Sequence, residues 1–212
     1  MTDDEVFAAI ADERRGLAAE LSALSPDDWR TPSLCDDWTV HDVAAHLVMP
    51  LVTPTWRFVV QMARTRGDFD RANIALTGRV ARQYPDSLPE MLTRCADTRF
   101  TPPGLGPLAP LTDVLVHGQD IRRPLGLPHT PDATRQATVL DFLVGDASQR
   151  RPRTFRAPET VRWRATDIDW ASPGSGPEVV GPAEAIMLVL TGRDVALADL
   201  SGPGVDELRG GP

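Results

Sequence analysis

Two histidines with carboxylates at helical spacing are the residues of this chain whose types and positions point to chemistry. Asp113 and His117 are four residues apart and share one helix face, and Asp120 follows near that face. His46 lies in a different apolar, helix-like stretch. If the two helices pack together, His46, Asp113 and His117 form a three-ligand site for a divalent ion such as Zn²⁺. Zn²⁺ binds imidazole nitrogen and carboxylate oxygen, and catalytic sites leave a position open.

The same spacings fit a second interpretation without a metal. Each imidazole can be partly buried and held by a hydrogen bond to a nearby carboxylate, and an Asp-x-x-x-His pair is common by chance. The spacings alone favour neither interpretation. The other two histidines stand apart: His41 is turned about 140° around the helix from His46 and is expected to be exposed. His129 lies in a proline-rich stretch and is expected in a loop.

Two helices must position the motif residues. Thr39 opens the first, and Asp42 follows three residues later, as in a weak capping box. Pro50 is expected to interrupt or kink this helix. The second helix is predicted over residues 111–125, where basic residues and Gly126 mark its end.

The rest of the chain predicts more helices and then a mixed tail. Helical periodicity covers four further stretches: residues 3–24, part of 67–87, 88–96 and 131–143. Residues 161–165 alternate apolar and polar side chains, which indicates a half-buried strand, and residues 182–191 indicate a short apolar helix. The fold class predicted is therefore α+β, mainly α. Residues 1–150 are expected to form a helical domain and residues 151–212 a small α/β domain docked on it, because so short a piece buries little surface alone.

Composition narrows the classes of function. The chain of 212 residues is 42% hydrophobic and 25% charged, which is ordinary for a globular protein. Its net charge of −8 argues against nucleic acid as a partner, because phosphate binding needs a basic surface. All 22 basic residues are Arg. Any cation that binds a substrate carboxylate must therefore be an arginine.

Targeting signals and cysteines indicate the compartment. The acidic N-terminus has no apolar segment typical of a signal peptide. No apolar run reaches the length of a membrane span, about 18 residues, so no membrane partner is expected. Cys35 and Cys95 are expected to be free thiols rather than a disulfide. We therefore expect a cytoplasmic protein.

Three blocks of sequence occur in a recognisable order. The first has Trp29, Cys35, Trp38 and Ala45-His46-Leu47; the second has Asp113, His117 and Gly118-Gln-Asp120; the third covers residues 165–170 and 181–193. Together they resemble the mycothiol-dependent maleylpyruvate isomerase family of the DinB-like superfamily. That resemblance implies a metal-binding, DinB-like four-helix bundle followed by the small C-terminal α/β domain.

The resemblance also implies roles for single residues. It places metal ligands at His46, Asp113 and His117, with Zn²⁺ favoured. The pattern of the family has Glu where this chain has Asp113. Asp120 is expected to accept a hydrogen bond from a ligand imidazole, or else to pair with a neighbouring arginine. Arg193 is the candidate cation for the substrate's acid group. Its alternative role is to bind the last carbonyls of a helix.

The implied activity is the use of mycothiol, a small sugar thiol, as cosubstrate. The metal would activate the thiol for addition to a small electrophilic substrate, in an isomerase or an S-transferase. Two alternatives stay open. One is a non-catalytic DinB-like protein of metal or ligand binding or stress response, and the other is a metal-dependent hydrolase with water in the open position. The expected assembly is a monomer or a homodimer.

Overall fold

The computed structural model of the chain describes residues 1–102, 104–145 and 160–209. It is 61% helix and 6% strand, which confirms the predicted α+β, mainly α class. The chain divides into two compact units, residues 1–128 and residues 129–212. All residues of the predicted metal site lie in the first unit.

Helices build the first unit in the described residues. They are α1 (Asp3–Ser22), α2 (Val40–Val52), α3 (Thr55–Arg64), α4 (Phe69–Gln83), α5 (Leu88–Arg94) and α6 (Leu108–Leu125), with a 3-10 turn at Asp28–Arg30. The four longest, α1, α2, α4 and α6, have 20, 13, 15 and 18 residues. α6 packs against both α1 and α2, and α2 packs also against α4 and α5. The core of the unit therefore surrounds α2 and α6.

Helix α2 begins at the capping box that the sequence predicts. The hydroxyl of Thr39 accepts from the Asp42 N–H at 3.3 Å, and the Asp42 carboxylate accepts from the Thr39 N–H at 3.0 Å. The helix continues through Pro50 to Val52, and α3 begins after Pro54. Residues on most of its circumference are buried, because α2 is covered by helices on several sides.

Helix α6 ends as its sequence indicates. Gly126 has φ 64°, a left-handed conformation that suits glycine, and follows the last residue of the helix. The Leu127 N–H donates to the carbonyl of Arg122 at 3.0 Å, which closes the end of the helix. The side chain of Arg122 is buried and paired with Glu20 of α1 through contacts of 2.6 and 3.2 Å. This pair ties α6 to α1.

The second unit combines α7 (Ala133–Val144), β1 (Arg162–Ala165), β2 (Glu178–Gly181), α8 (Ala183–Leu190), a 3-10 segment (Asp194–Asp199) and α9 (Gly204–Arg209). The two strands pair in parallel, with Trp163 opposite Val179. Trp163 and Ala165 are buried and alternate with more exposed neighbours, as the sequence predicts for a half-buried strand.

The boundary between the units differs from the one expected near residue 150. Helix α7 packs against α8, and the Trp170 indole N–H donates to the Asp141 carboxylate at 2.8 Å. The contacts of α7 therefore place it with the strands, and the division falls after Pro128.

No helix among the described residues has by itself both the length and the apolar content to cross a membrane. Helices α2 and α3 reach that length and apolar content only when they are taken together, and the chain bends by 118° between them.

Candidate metal centre

The structure brings His46, Asp113 and His117 together, although the first two are 67 positions apart in the chain. One nitrogen of each imidazole and one oxygen of the carboxylate lie within 4.8 Å of one another. The centroids of the two imidazole rings are 4.7 Å apart, and the rings meet edge to face. Helix α2 supplies His46 and α6 supplies the other two, one turn apart on a shared face.

The separations between these atoms suit ligands of one metal ion. Oδ1 of Asp113 lies 3.5 Å from Nε2 of His46 and 3.4 Å from Nε2 of His117. Hydrogen bonds of the N–H···O type are shorter, about 2.7–3.2 Å. Two ligands on a tetrahedral Zn²⁺, with bonds of about 2.0–2.1 Å, lie roughly 3.3–3.4 Å apart. Both contacts therefore resemble ligand–ligand separations more than direct hydrogen bonds.

Asp120 lies behind one of these imidazoles. The Nδ1–H of His117 donates to Oδ2 of Asp120 at 2.8 Å, and the Asp120 side chain is 0% exposed. This bond fixes the ring orientation in which Nε2 of His117 faces Asp113. A carboxylate that orients a ligand imidazole through its other nitrogen is a common partner of metal-binding histidine.

His46 is held differently. Its side chain is 11% exposed, and Nδ1 is buried without a hydrogen-bond partner among the residues that the structure describes. The ring of Trp38 lies 5.3 Å from the imidazole ring. Packing against Trp38 and α6 therefore sets the orientation of His46, where a hydrogen bond sets that of His117.

Acidic and basic groups lie close together in the cluster and shift the pKa values of His117 and Asp113. Burial lowers the pKa of His117, but its polar contacts with Asp113, Asp120 and Cys35 outweigh burial and raise the pKa well above 6.5. Partial burial would raise the pKa of Asp113. Electrostatic interaction with His46 and side-chain contacts with His117 and His46 instead hold the pKa of Asp113 well below its ordinary range. The Asp113 side chain is 38% exposed, so the cluster opens to solvent beside it.

Other residues singled out by the sequence lie elsewhere. The Arg193 guanidinium donates to the carbonyl of Thr191, just beyond α8 in the second unit. Its role as a cation for the substrate stays a prediction. His41 is partly buried rather than exposed, because its Nε2 contacts the Pro85 carbonyl at 3.1 Å and its ring meets Trp29. His129 lies in a loop, as expected.

Sequence reasoning missed the contacts of Cys35. The sequence indicates only that this residue is not part of a disulfide, yet its Sγ lies 3.1 Å from Oδ2 of Asp120 and 3.7 Å from Nδ1 of His117. The spacing of Cys35 in the sequence carries no signal of this contact.

The first unit is helical and gathers two imidazoles and a carboxylate on two helices that face each other. These features place the protein in the class of helical-bundle proteins with a candidate metal centre. Comparison with protein families identifies the family within this class. The model of the mycothiol maleylpyruvate isomerase N-terminal domain matches residues 10–122, more than half of the chain and all of the cluster. The chain belongs to this family. Comparisons with curated proteins and with solved structures give no match.

Metal binding to the cluster is expected to release a proton and to weaken as pH falls. The raised pKa of His117 keeps its imidazole protonated near neutral pH, between Asp113 and Asp120, and a metal must displace that proton. Below this pKa, the affinity should fall about tenfold for each pH unit. Titration calorimetry in buffers of different ionisation enthalpy measures the protons released. An affinity that does not change between about pH 6 and about pH 8 would contradict this expectation.

Proposed function

We propose that this protein is a metal-dependent enzyme that uses mycothiol to act on a small electrophilic substrate, as an isomerase or an S-transferase. The observation that carries the proposal is the pair of separations, 3.4 and 3.5 Å, between one carboxylate oxygen of Asp113 and the two imidazole nitrogens. Membership of the mycothiol maleylpyruvate isomerase N-terminal domain family supports the choice of thiol.

The residues of the cluster divide the work of holding the ion. His46, Asp113 and His117 are the proposed ligands, with Zn²⁺ the favoured metal. Asp120 keeps Nε2 of His117 directed at the site, and the exposed side of Asp113 leaves room for a further ligand. A divalent metal bound there would lower the pKa of a coordinated thiol, so that thiolate forms at neutral pH.

The pattern of the family has Glu where this chain has Asp113, and the distances around Asp113 bear on this difference. Asp is one methylene shorter, yet its Oδ1 lies nearly equidistant from both imidazoles. The shorter side chain therefore reaches a position suited to direct ligation. The substrate's acid group is proposed to meet Arg193. Cytoplasmic localisation and a monomeric or homodimeric state remain predictions.

The thiol is tested by thermal unfolding of the purified, metal-loaded protein. Mycothiol at about a hundred times its dissociation constant should stabilise the folded state by about 2–3 kcal/mol, and glutathione should not. The stabilisation should disappear in the metal-free protein and in a His46→Ala variant. Stoichiometric metal without any effect of mycothiol would contradict the thiol proposal and would favour a hydrolase. Absence of bound metal would favour a non-catalytic protein.

A further inference from the structure

A short loop before α2 contacts both imidazoles of the candidate metal centre. We call residues 33–38 the site loop. At its end, the Trp38 ring packs on the ring of His46. Near its start, Sγ of Cys35 lies beside Nδ1 of His117. One loop therefore touches the two proposed ligands that come from different helices.

Internal hydrogen bonds fix the conformation of the site loop. The Ser33 N–H donates to the Trp38 carbonyl at 2.9 Å, and the Trp38 N–H donates to the Cys35 carbonyl at 3.1 Å. The Ser33 hydroxyl donates to the Trp38 carbonyl at 2.8 Å and accepts from the Cys35 N–H at 3.1 Å. The loop thus presents Cys35 and Trp38 from a closed, preformed turn.

The site loop is attached to α6 at the backbone carbonyl of Asp120. Pro124 has no N–H, so the carbonyl of Asp120, four residues earlier, lacks its usual helical donor. The Leu34 N–H donates to this carbonyl at 3.2 Å. The proline therefore creates the acceptor on which the loop docks, directly beside the Asp120 side chain.

Cys35 and His117 share one oxygen of that side chain. The thiol of Cys35 donates to Oδ2 of Asp120 at 3.1 Å, and the His117 Nδ1–H donates to the same atom at 2.8 Å. Asp120 has no exposed surface, so its carboxylate depends on protein donors to replace water. A second donor holds the oxygen in line with the imidazole.

We propose that Cys35 is a positioning residue for His117, acting through Asp120. The inference rests on the proposed metal function, because Cys35 would act by keeping Nε2 of His117 directed at the metal site. The same three residues also have ligand atoms within 4.8 Å of one another. However, the 2.8 Å between His117 Nδ1 and Asp120 Oδ2 is a hydrogen-bond length, and ligands of one tetrahedral ion lie farther apart, roughly 3.3 Å. The geometry therefore favours positioning over a second metal.

The experiment compares the variants Cys35→Ala and Cys35→Ser with the unaltered protein. Cys35→Ala removes the donor and should weaken Zn²⁺ binding about three- to tenfold, less than the ten- to hundredfold typical of a direct orienting partner. Cys35→Ser keeps a donor and should restore the affinity to within about twofold. Cys95→Ala, which removes the second cysteine of the chain, should bind as the unaltered protein does. Competition with a chelating dye measures each affinity.

A second measurement separates positioning from a general loss of structure. The ¹⁵N and ¹H NMR signals of His117 Nδ1–H in metal-free protein report its hydrogen bond to Asp120. This signal should shift in Cys35→Ala and return towards its original position in Cys35→Ser. Absorption spectra of the Co²⁺-loaded proteins should change in the same order, since they report the ligand geometry.

The outcomes distinguish this inference from the proposed function. An unaltered protein that binds no metal overturns the proposed function, and the His117 signal of the metal-free variants still decides whether Cys35 positions the imidazole. Unchanged affinity together with an unchanged His117 signal in Cys35→Ala overturns the inference. Two bound Zn²⁺ ions, one of them lost in Cys35→Ala, would also overturn it by making Cys35 a ligand.

Discussion

Replacement of His117 by Ala is expected to lower the affinity for Zn²⁺ by at least about a hundredfold. His117 supplies one of three proposed ligands, and loss of a mere orienting partner already costs about ten- to a hundredfold. Two remaining protein ligands would leave half of a tetrahedral shell to water. Metal analysis after dialysis and chelator competition measure the effect. His46→Ala should behave alike, because its Nε2 has an equivalent place beside Asp113.

A histidine outside the cluster provides the matched control. His41 lies on α2, five residues before His46, and contacts the Pro85 carbonyl rather than the cluster. His41→Ala should therefore keep its metal, and circular dichroism should show that all three variants are folded. Equal metal content in His117→Ala and His41→Ala would exclude His117 as a ligand and, with it, the proposed centre.

Replacement of Glu20 by Ala is expected to lower the free energy of unfolding by about 2–4 kcal/mol. Glu20 is the counter-charge of Arg122, whose side chain is only 2% exposed, and the pair joins α1 to α6. Without Glu20 the guanidinium stays buried with its charge uncompensated, which is costly. The partial exposure of Glu20, 31%, keeps the loss below the largest values for such pairs. Urea denaturation followed by circular dichroism measures the difference.

An exposed ion pair on the same helix gives the comparison. Arg15 of α1 pairs with Asp97, and both side chains are well exposed. Asp97→Ala should cost less than about 1 kcal/mol, because water screens and replaces such a contact. The double variant Glu20→Ala with Arg122→Met should recover much of the stability, since it removes the buried charge itself. A Glu20→Ala loss no larger than that of Asp97→Ala would contradict this account.

Local features of the fold were predictable because they depend on residues close in the chain. The capping box of Thr39 and Asp42 and the left-handed end at Gly126 are both present where the sequence indicates. Asp113 and His117 share a face because four residues make about one helical turn. Family membership, expected from three ordered blocks, is confirmed by the match over residues 10–122.

Features that depend on distant contacts were not predictable in the same way. Helix α7 carries a helical pattern, but only its packing on α8 shows that it belongs with the strands. By spacing alone, Asp120 could pair equally with a ligand imidazole or with a neighbouring arginine. The structure places Nδ1 of His117 at 2.8 Å from Oδ2 of Asp120. The thiol of Cys35 lies 85 residues away from the carboxylate it contacts. Spacing constrains neighbours along a helix and says nothing about such pairs.

By itself, the sequence determined which residues could bind a metal, the helices that carry them and the family to which the chain belongs. The tertiary structure decided that His46 on α2 meets Asp113 and His117 on α6, with separations suited to a single ion. It also decided that the site loop docks on α6, where the Leu34 N–H donates to the carbonyl of Asp120. Helical periodicity follows from backbone geometry, whereas the meeting of two helices depends on how their buried faces pack together.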